Sequence, residues 1–405
     1  DLYAYLNTEK IAETIEKSIL TLKDTITSSG NVDESQKKET DKWFGFLTRL
    51  LKDSGLLQIS GLGISSKEFD KGLTRSRFVV QHNPGQGEGL IWNLTGDKPG
   101  DLEFIDILPE DTVFTSFSDF NYSALWKWIK NQAEKSGDDK IRFGIGSFET
   151  DLKNMGIDLP ALLKSINGDS GFLLTLDHKN KVKFPVGDKD IEFPEPAFAF
   201  IFETGDDSIF ELLSAKIPDA EIKEEKGRKT IMVKTPPLPF AFSPAIIKSN
   251  NLLIIASTPL IAEKLMNSDG SKGLKNSEEF KKLSAGIPDS GNGFTFMSSS
   301  FFKEIMRFQM ELNQRESEAN KKGMDFMKKL GLDFDNLSMF RVTSRTDEGY
   351  VITTNSTIKT EILMMLPIAA TGGIVAAIAI PGAIKRMPMK IIPEGQSPNL
   401  PSQEL

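Results

Sequence analysis

Leu337-Ser338-Met339-Phe340-Arg341-Val342-Thr343-Ser344-Arg345 runs into Asp347-Glu348-Gly349 and out again as Tyr350-Val351-Ile352. Strand-forming segments flank a tight turn that carries Asp and Gly, which reads as an antiparallel hairpin. The same pattern stands near the start of the chain, where the strand beginning Leu57-Gln58-Ile59 turns at Asp70-Lys71-Gly72. Two such hairpins, each preceded by helical periodicity, predict an α+β fold of antiparallel sheets with helices packed on one face.

Upstream of both hairpins the chain follows one succession of strand, helix, polar linker, second helix and glycine. In the first copy these are residues 2–6, a helix carrying Ile11, Ile15, Ile19, Leu22 and Ile26, the linker 31–42, and a helix over 43–51 that ends at Gly55. In the second they are residues 294–297, a helix over 301–312, the linker 313–322, and a helix over 324–330 that ends at Gly331. Glycine in that place is the usual left-handed C-terminal cap. The shared order points to an internal duplication. Shorter strand-to-helix steps recur where residues 113–117 lead to Tyr122 and residues 197–202 lead to Ser208, with polar residues at hand to cap the first turn.

This organisation divides the chain into a first repeat at 1–105, a middle α+β region at 106–290, a second repeat at 291–360, a membrane helix at 361–384 and a tail at 385–405. In the middle region Trp126 and Trp128 fall on a helix, while Pro194-Glu195-Pro196 and Pro236-Pro237-Leu238-Pro239 are expected to mark bends between strands.

Composition narrows the chemistry. With 39% hydrophobic and 26% charged residues over 405 positions, the chain has the makings of a real core and is far from the disordered regime. Its net charge of -8, with both signs interspersed, argues against nucleic acid as a partner. The absence of cysteine excludes disulfides, thiolate metal sites and a cysteine nucleophile. His82 and His178 are the only histidines, too few for a histidine-rich zinc site.

Residues 362–384 form 23 positions without a charge, bounded by Glu361 and Lys385. As a helix they extend roughly 34 Å, matching a hydrocarbon core of ~30 Å. Ile362, Leu366, Ile374, Ile378 and Ile384 are the expected anchor. Lys385, Arg386 and Lys390 follow at once, and by the positive-inside rule they place the tail in the cytoplasm and residues 1–360 outside. The start at Asp1 fits a chain whose signal peptide has been removed by processing or left off the sequence, two alternatives that the residues do not separate.

Several motifs imitate known sites. Gly168-Asp169-Ser170-Gly171 looks like a serine-protease nucleophile, but Phe172 follows where a glycine belongs and no base is at hand. Gly85-Gln86-Gly87-Glu88-Gly89 lacks the lysine and helix of a phosphate loop and is expected to be a turn. Asp138-Asp139, Asp206-Asp207 and Asp333-Phe334-Asp335-Asn336 lack the spacing of a calcium loop and are expected to cap helices or face solvent. The methionines at 297, 306, 310, 324 and 327 are expected in the core. No catalytic, cofactor-binding or metal-binding residue emerges.

Gly373-Ile374-Val375-Ala376-Ala377-Ile378-Ala379-Ile380-Pro381 is similar to the membrane helix of type IV pilins and pseudopilins; Glu361 sits where their glutamate would, whereas Ser356 replaces the cleavage glycine, so pilin-type processing is not implied. Leu108-Pro109-Glu110-Asp111-Thr112, Ile166-Asn167-Gly168-Asp169, residues 252–258, Ser277-Glu278-Glu279-Phe280 and Ile287-Pro288 together resemble a family of bacterial envelope proteins known only as a domain of unknown function. That resemblance implies secretion and an α+β repeat fold, and it carries no catalytic residues. The expectation is therefore a single-pass protein of the bacterial cytoplasmic membrane, binding or scaffolding an envelope protein without catalysis. A hydrolase using a carboxylate pair and an apolar-ligand carrier are the alternatives.

Overall fold

The computed structural model describes residues 2–28, 33–70, 72–186, 189–218, 220–235, 241–268, 270–312 and 336–357. The chain opens with β1 (Leu2–Asn7), α1 (Glu9–Ser28), α2 (Glu34–Ser54), β2 (Ile59–Asp70) and β3 (Leu73–His82). There follow β4 (Gly100–Asp101), α3 (Phe104–Ile107), β5 (Thr112–Ser118), α4 (Tyr122–Lys135), α5 (Asp139–Asn154), α6 (Leu159–Ser165), β6 (Ile166–Val186) and β7 (Lys189–Thr204). Then come α7 (Ser208–Lys216), β8 (Ile222–Glu225), β9 (Arg228–Met232), β10 (Ala245–Ser249), β11 (Leu252–Ala256), α8 (Pro259–Met266) and α9 (Glu278–Ser284). The last elements are β12 (Ser290–Gly291), β13 (Gly293–Met297), α10 (Ser299–Leu312), β14 (Met339–Thr346) and β15 (Gly349–Ser356).

Thirteen strands make one antiparallel sheet in the order β1-β2-β3-β15-β14-β13-β5-β6-β7-β11-β10-β9-β8, while β4 and β12 pair with each other. Within it one pattern occurs three times. In β1-β2-β3, in β5-β6-β7 and in β13-β14-β15, a strand is followed by helix, and the chain then returns as a hairpin whose first arm pairs with that strand. The segments expected to be copies, 1–82 and 291–358, thus share one strand order and meet edge to edge, Val351 opposite Val79.

The two hairpins read from the sequence are present. Thr346 pairs with Gly349 across Asp347 and Glu348, and Gly349 has a φ of 140°, a value that suits glycine. Asp70 pairs with Leu73, and Gly72 is left-handed at 76°. All four strand-to-helix steps are also present: β1 into α1, β5 into α4, β7 into α7 and β13 into α10. Asn121 caps α4 by accepting the Ala124 amide.

Helices cover both faces of the sheet, which corrects the expected one-sided arrangement. Along β13, Phe294 and Phe296 point one way and Met297 the other, as strand pleating demands. The first face buries Phe117, Leu173, Ile201, Ile254, Phe294, Phe296 and Phe340 beneath α3, α8 and α9. Phe104, Phe117 and Phe294 stack there in a row, with centroids 4.6 and 5.4 Å apart, and burial of each stabilises by roughly 2–3 kcal/mol. On the second face α10 brings Phe301 to Phe114 and Met339, and α7 brings Phe210 to Ile246 and Leu253. The central strands are apolar at both parities, so each side needs a cover.

Two further expectations change. The linker expected at 31–42 is helical from Glu34 onward, because Asp33 and Gln36 form a capping box that satisfies the first amides of α2. The bend expected at Pro194-Glu195-Pro196 lies inside β7, with Pro194 opposite Lys181 and Pro196 opposite Leu176. There β7 pairs on one side only among the described residues, since β11 reaches no further than Ala199, so the missing proline donors cost no ladder bond to a described strand. The proline run 236–239 and the second helix expected at 324–330 lie outside the described residues.

Every described residue belongs to the unit Asp1–Met365. The segments expected as first repeat, middle region and second repeat all contribute strands to the same sheet. The expected membrane helix and tail, with Ile362, Leu366, Ile374, Ile378, Ile384, Lys385, Arg386 and Lys390, lie outside the described residues. Among the described residues no helix is long and apolar enough to cross a membrane.

Candidate functional site

The C-terminal end of α2 and the loop after β3 form one wall of a groove, and α4 and α6 form the other. Gly55 caps α2 in the left-handed conformation at φ 83° and donates its amide to the Lys52 carbonyl at 3.1 Å. Gly89 packs so closely on Gly55 that a Cβ would collide with backbone. Two tryptophans reach the same corner: Trp92 Nε1 donates to the Gly55 carbonyl at 3.2 Å, beside the Gln58 amide at 3.1 Å, and Trp128 Nε1 donates to the Asp53 carbonyl at 3.0 Å. Trp92 is almost wholly buried between His82, edge-on at 4.7 Å, and Tyr350, stacked at 5.8 Å. A rigid corner results, and it ties the first repeat to α4.

The groove encloses about 990 Å³ and runs from Gln58 to Lys164. Its walls carry five lysines, Lys52, Lys127, Lys130, Lys135 and Lys164, against three acids, Asp53, Glu88 and Glu134. Lys130 meets Glu149 at 2.8 Å, and that bond, aided by a weaker one from Trp126 at 3.4 Å, holds the Glu149 carboxyl below its usual range. Asp53 accepts from Gln132 at 2.8 Å and faces Lys135 at 3.5 Å. Lys127 and Lys164 form no salt bridge with any described residue. Lys52 pairs with Glu16 at 3.1 Å, so counting the partners outside the lining the charges balance, and Lys127 and Lys164 are the two groove lysines left without an acid partner among the described residues.

A second polar centre lies where β5, β6 and β7 run side by side. Asp119, just past β5, accepts the Gly96 amide at 3.0 Å and the Asn292 side chain at 2.9 Å through one oxygen, while the other oxygen is buried without a hydrogen bond. Burial raises its carboxyl above the ordinary value despite those donors. Asn292 also donates to the Gly96 and Lys98 carbonyls and accepts the Arg345 amide at 2.7 Å, so it clips four chain segments together. Asp169 is pushed up to about 6, first by burial and then by repulsion from Asp119, Glu203 and Glu103. Glu203 accepts the Asp169 amide at 2.9 Å and the Asn251 side chain at 3.1 Å, and it lines a separate hollow of about 410 Å³. A carboxyl near 6 can hold or release a proton close to neutrality.

The motifs weighed from the sequence fall into place around these two sites. Ser170 is buried in β6 and bonded to the Tyr122 hydroxyl at 2.8 Å instead of to a base, as its rejection as a nucleophile requires. Asp138 caps α5. Asp207 precedes α7 and pairs with Lys229 at 2.6 Å and Lys248 at 3.4 Å, which draws its carboxyl below the usual range. The 85–89 turn leads to the Gly89 corner of the groove. His82 is buried at the end of β3, and exposed His178 lies 3.9 Å from Glu304. Met297 is in the core.

Sequence reasoning passed over Lys164, Asp119 and Glu203; it touched Lys127 only within the aromatic stretch 125–130, expected in the core, and Asp169 only as the neighbour of Ser170. No family model matches the chain, and no curated protein or solved structure matches it either.

Proposed function

We propose that this chain is a membrane-anchored, extracytoplasmic binding protein of the bacterial envelope, and that its lysine-lined groove takes an extended acidic segment of an envelope protein. The groove carries this reading: of its five lysines, Lys127 and Lys164 have no acid partner among the described residues, and they line about 990 Å³ beside Trp126. Lys127 and Lys164, on the neighbouring helices α4 and α6 of one wall, suit carboxylates spaced along an extended strand, and the tryptophan supplies apolar contact. Charge on both walls favours a polar ligand over an apolar one.

The anchor rests on the uncharged run 362–384 with Ile362, Leu366, Ile374, Ile378 and Ile384, and the orientation on Lys385, Arg386 and Lys390. Export leaves residues 1–360 outside the cytoplasmic membrane and the tail inside. The shared strand order of 1–82 and 291–358 supports the duplication of one β-α-β-β unit.

The test is a photoreactive residue at position 127 or 164 of the full chain in native membranes, with an identical probe at exposed Phe143 on α5 as control. Binding at the groove yields one adduct from 127 and 164 that is absent from 143, weakened by salt and lost in Lys127→Glu/Lys164→Glu. Equal adducts from all three positions, or an adduct indifferent to charge reversal, would remove the reading.

One observation favours a second reading, hydrolysis of an envelope substrate. Asp169 and Asp119 are two carboxyls raised by burial, and Asp119 adds repulsion on Asp169, a perturbation that marks candidate acid–base groups. Neither lines the groove or the hollow beside Glu203, and Asp119 is tied to Gly96 and Asn292, so the binding reading stands first.

A further inference from the structure

The two ends of the sheet are built differently. At the far end β8 reads Ile222-Lys223-Glu224-Glu225, three charges in four residues, the usual protection of an open edge. At the near end β1 pairs, among the described residues, with β2 alone and reads Leu2-Tyr3-Ala4-Tyr5-Leu6-Asn7, without charge, proline or glycine. All six of its residues are exposed. Leu2, Ala4 and Leu6 share the face of Leu62 and Val80, whereas Tyr3 and Tyr5 lie on the other with Gly63 and Val79. Tyr3 is 82% exposed, Tyr5 57%, Leu6 50% and Leu2 42%, an uncommon amount of bare apolar surface for one short strand.

Residues 2–6 also read the same in both directions. Antiparallel pairing of two copies about a two-fold axis at Ala4 sets Ala4 on Ala4, Tyr3 of one copy on Tyr5 of the other, and Leu2 on Leu6. Every cross-strand pair is then like with like: four tyrosines on one face, four leucines on the other, and no charge to bury. Aromatic pairs are among the favourable cross-strand neighbours. A two-fold interface must be complementary to itself, and a palindromic strand meets that condition without further adjustment.

Area supports a second copy as the occupant. At ~200 Å² per aromatic side chain, the two tyrosines leave roughly 280 Å² uncovered per copy, so at most about 550 Å² of tyrosine surface is there for a pair of copies to cover. The leucines add to this, as does α1, which starts one residue after β1, packs against β2 and keeps Ile11, Ile15 and Leu22 exposed along one stripe. Together they approach the roughly 1,200 Å² at which stable interfaces begin.

We propose that the chain forms a two-fold dimer in which β1 pairs with β1 of a second copy, centred on Ala4, making one continuous sheet of the two thirteen-stranded sheets. The cysteine-free sequence makes the test clean. In the full chain in detergent micelles, Ala4→Cys should form a disulfide-linked dimer on mild oxidation at micromolar protein, because the Cα atoms of directly opposed antiparallel residues, about 4.5–5.5 Å apart, are within bridging reach. Ile222→Cys at the other edge should not. Light scattering should give a dimer for the parent chain and a monomer for Tyr3→Lys/Tyr5→Lys, whose dimer dissociation constant should rise at least 100-fold with an unchanged thermal midpoint. A monomeric parent chain, equal linking at positions 4 and 222, or an intact dimer in the double lysine variant would each overturn the proposal. So would a monomer whose β1 amides resist hydrogen exchange, since the edge would then be filled from within one chain. Should the lysine variant fail to fold, the ratio of linking at positions 4 and 222 still decides.

Discussion

Replacing Asp169 by asparagine removes a charge that the fold holds at a cost. Burial first, and repulsion from Asp119, Glu203 and Glu103 second, lift its carboxyl from 3.8 to about 6. A carboxyl whose value is raised on folding leaves stability fully present below about 3.8, and that stability is lost as pH rises through about 6. The full linkage at 1.36 kcal/mol per pH unit has a ceiling of ~3 kcal/mol; because the side chain is only half-buried, solvent screening brings this to ~1–2 kcal/mol. The asparagine side chain mimics the neutral acid in shape. Urea unfolding of the parent and Asp169→Asn chains, run side by side at pH 3.8 and pH 8, should therefore give matching midpoints in acid and a variant more stable by ~1–2 kcal/mol in base. The difference should open between pH 4 and pH 7. A variant less stable at pH 8, or a difference independent of pH, would refute the burial and repulsion argument and mean that the charged form is held by a favourable partner.

Three other expectations follow from packing. Gly89→Ala forces a Cβ into the Gly55 backbone, so the Gly55–Trp92 corner must open, at a cost of ~2–3 kcal/mol seen as a lower denaturation midpoint. Trp92→Ala empties an almost fully buried site and leaves the Gly55 carbonyl with the Gln58 amide as its remaining donor; a loss of ~3–5 kcal/mol in chemical unfolding is expected. Asn292→Ala leaves the buried Asp119 carboxyl and the Arg345 amide short of a partner, which should cost ~2–4 kcal/mol, with the larger loss at high pH where Asp119 is charged.

Local signals carried much of the fold. The turn at Asp347-Glu348-Gly349 was legible because a two-residue connection admits few conformations, and Gly55 because a helix end needs a left-handed residue. The start of α2 was obscured by Lys37, Lys38, Glu39 and Lys42, a solvated helical face that looks like a linker until Asp33 and Gln36 are seen as a pair. Pro194 and Pro196 read as bends because a sequence does not reveal which side of a strand lacks a neighbour. Coverage of both faces was concealed for a related reason: Phe114 and Phe117 point to opposite sides, and only the pairing of β5 between β13 and β6 shows that each side needs a helix. Neither site could be read locally. Lys127 and Lys164 resemble any surface lysine until α4 and α6 meet, and the repulsion at Asp169 comes from Asp119 and Glu203 on the neighbouring segments, 50 and 34 positions away in the chain.

The proposal that an exported body is tethered by residues 362–384 is tested most directly by protease access in intact spheroplasts. One epitope is inserted in the Asp70–Leu73 hairpin turn and another is placed after Leu405, and membranes are washed with alkaline carbonate to confirm that the chain is retained. External protease should destroy the hairpin epitope and spare the C-terminal one until the membrane is broken. Release of the chain by carbonate, or protection of the hairpin epitope in intact spheroplasts, would contradict the tether.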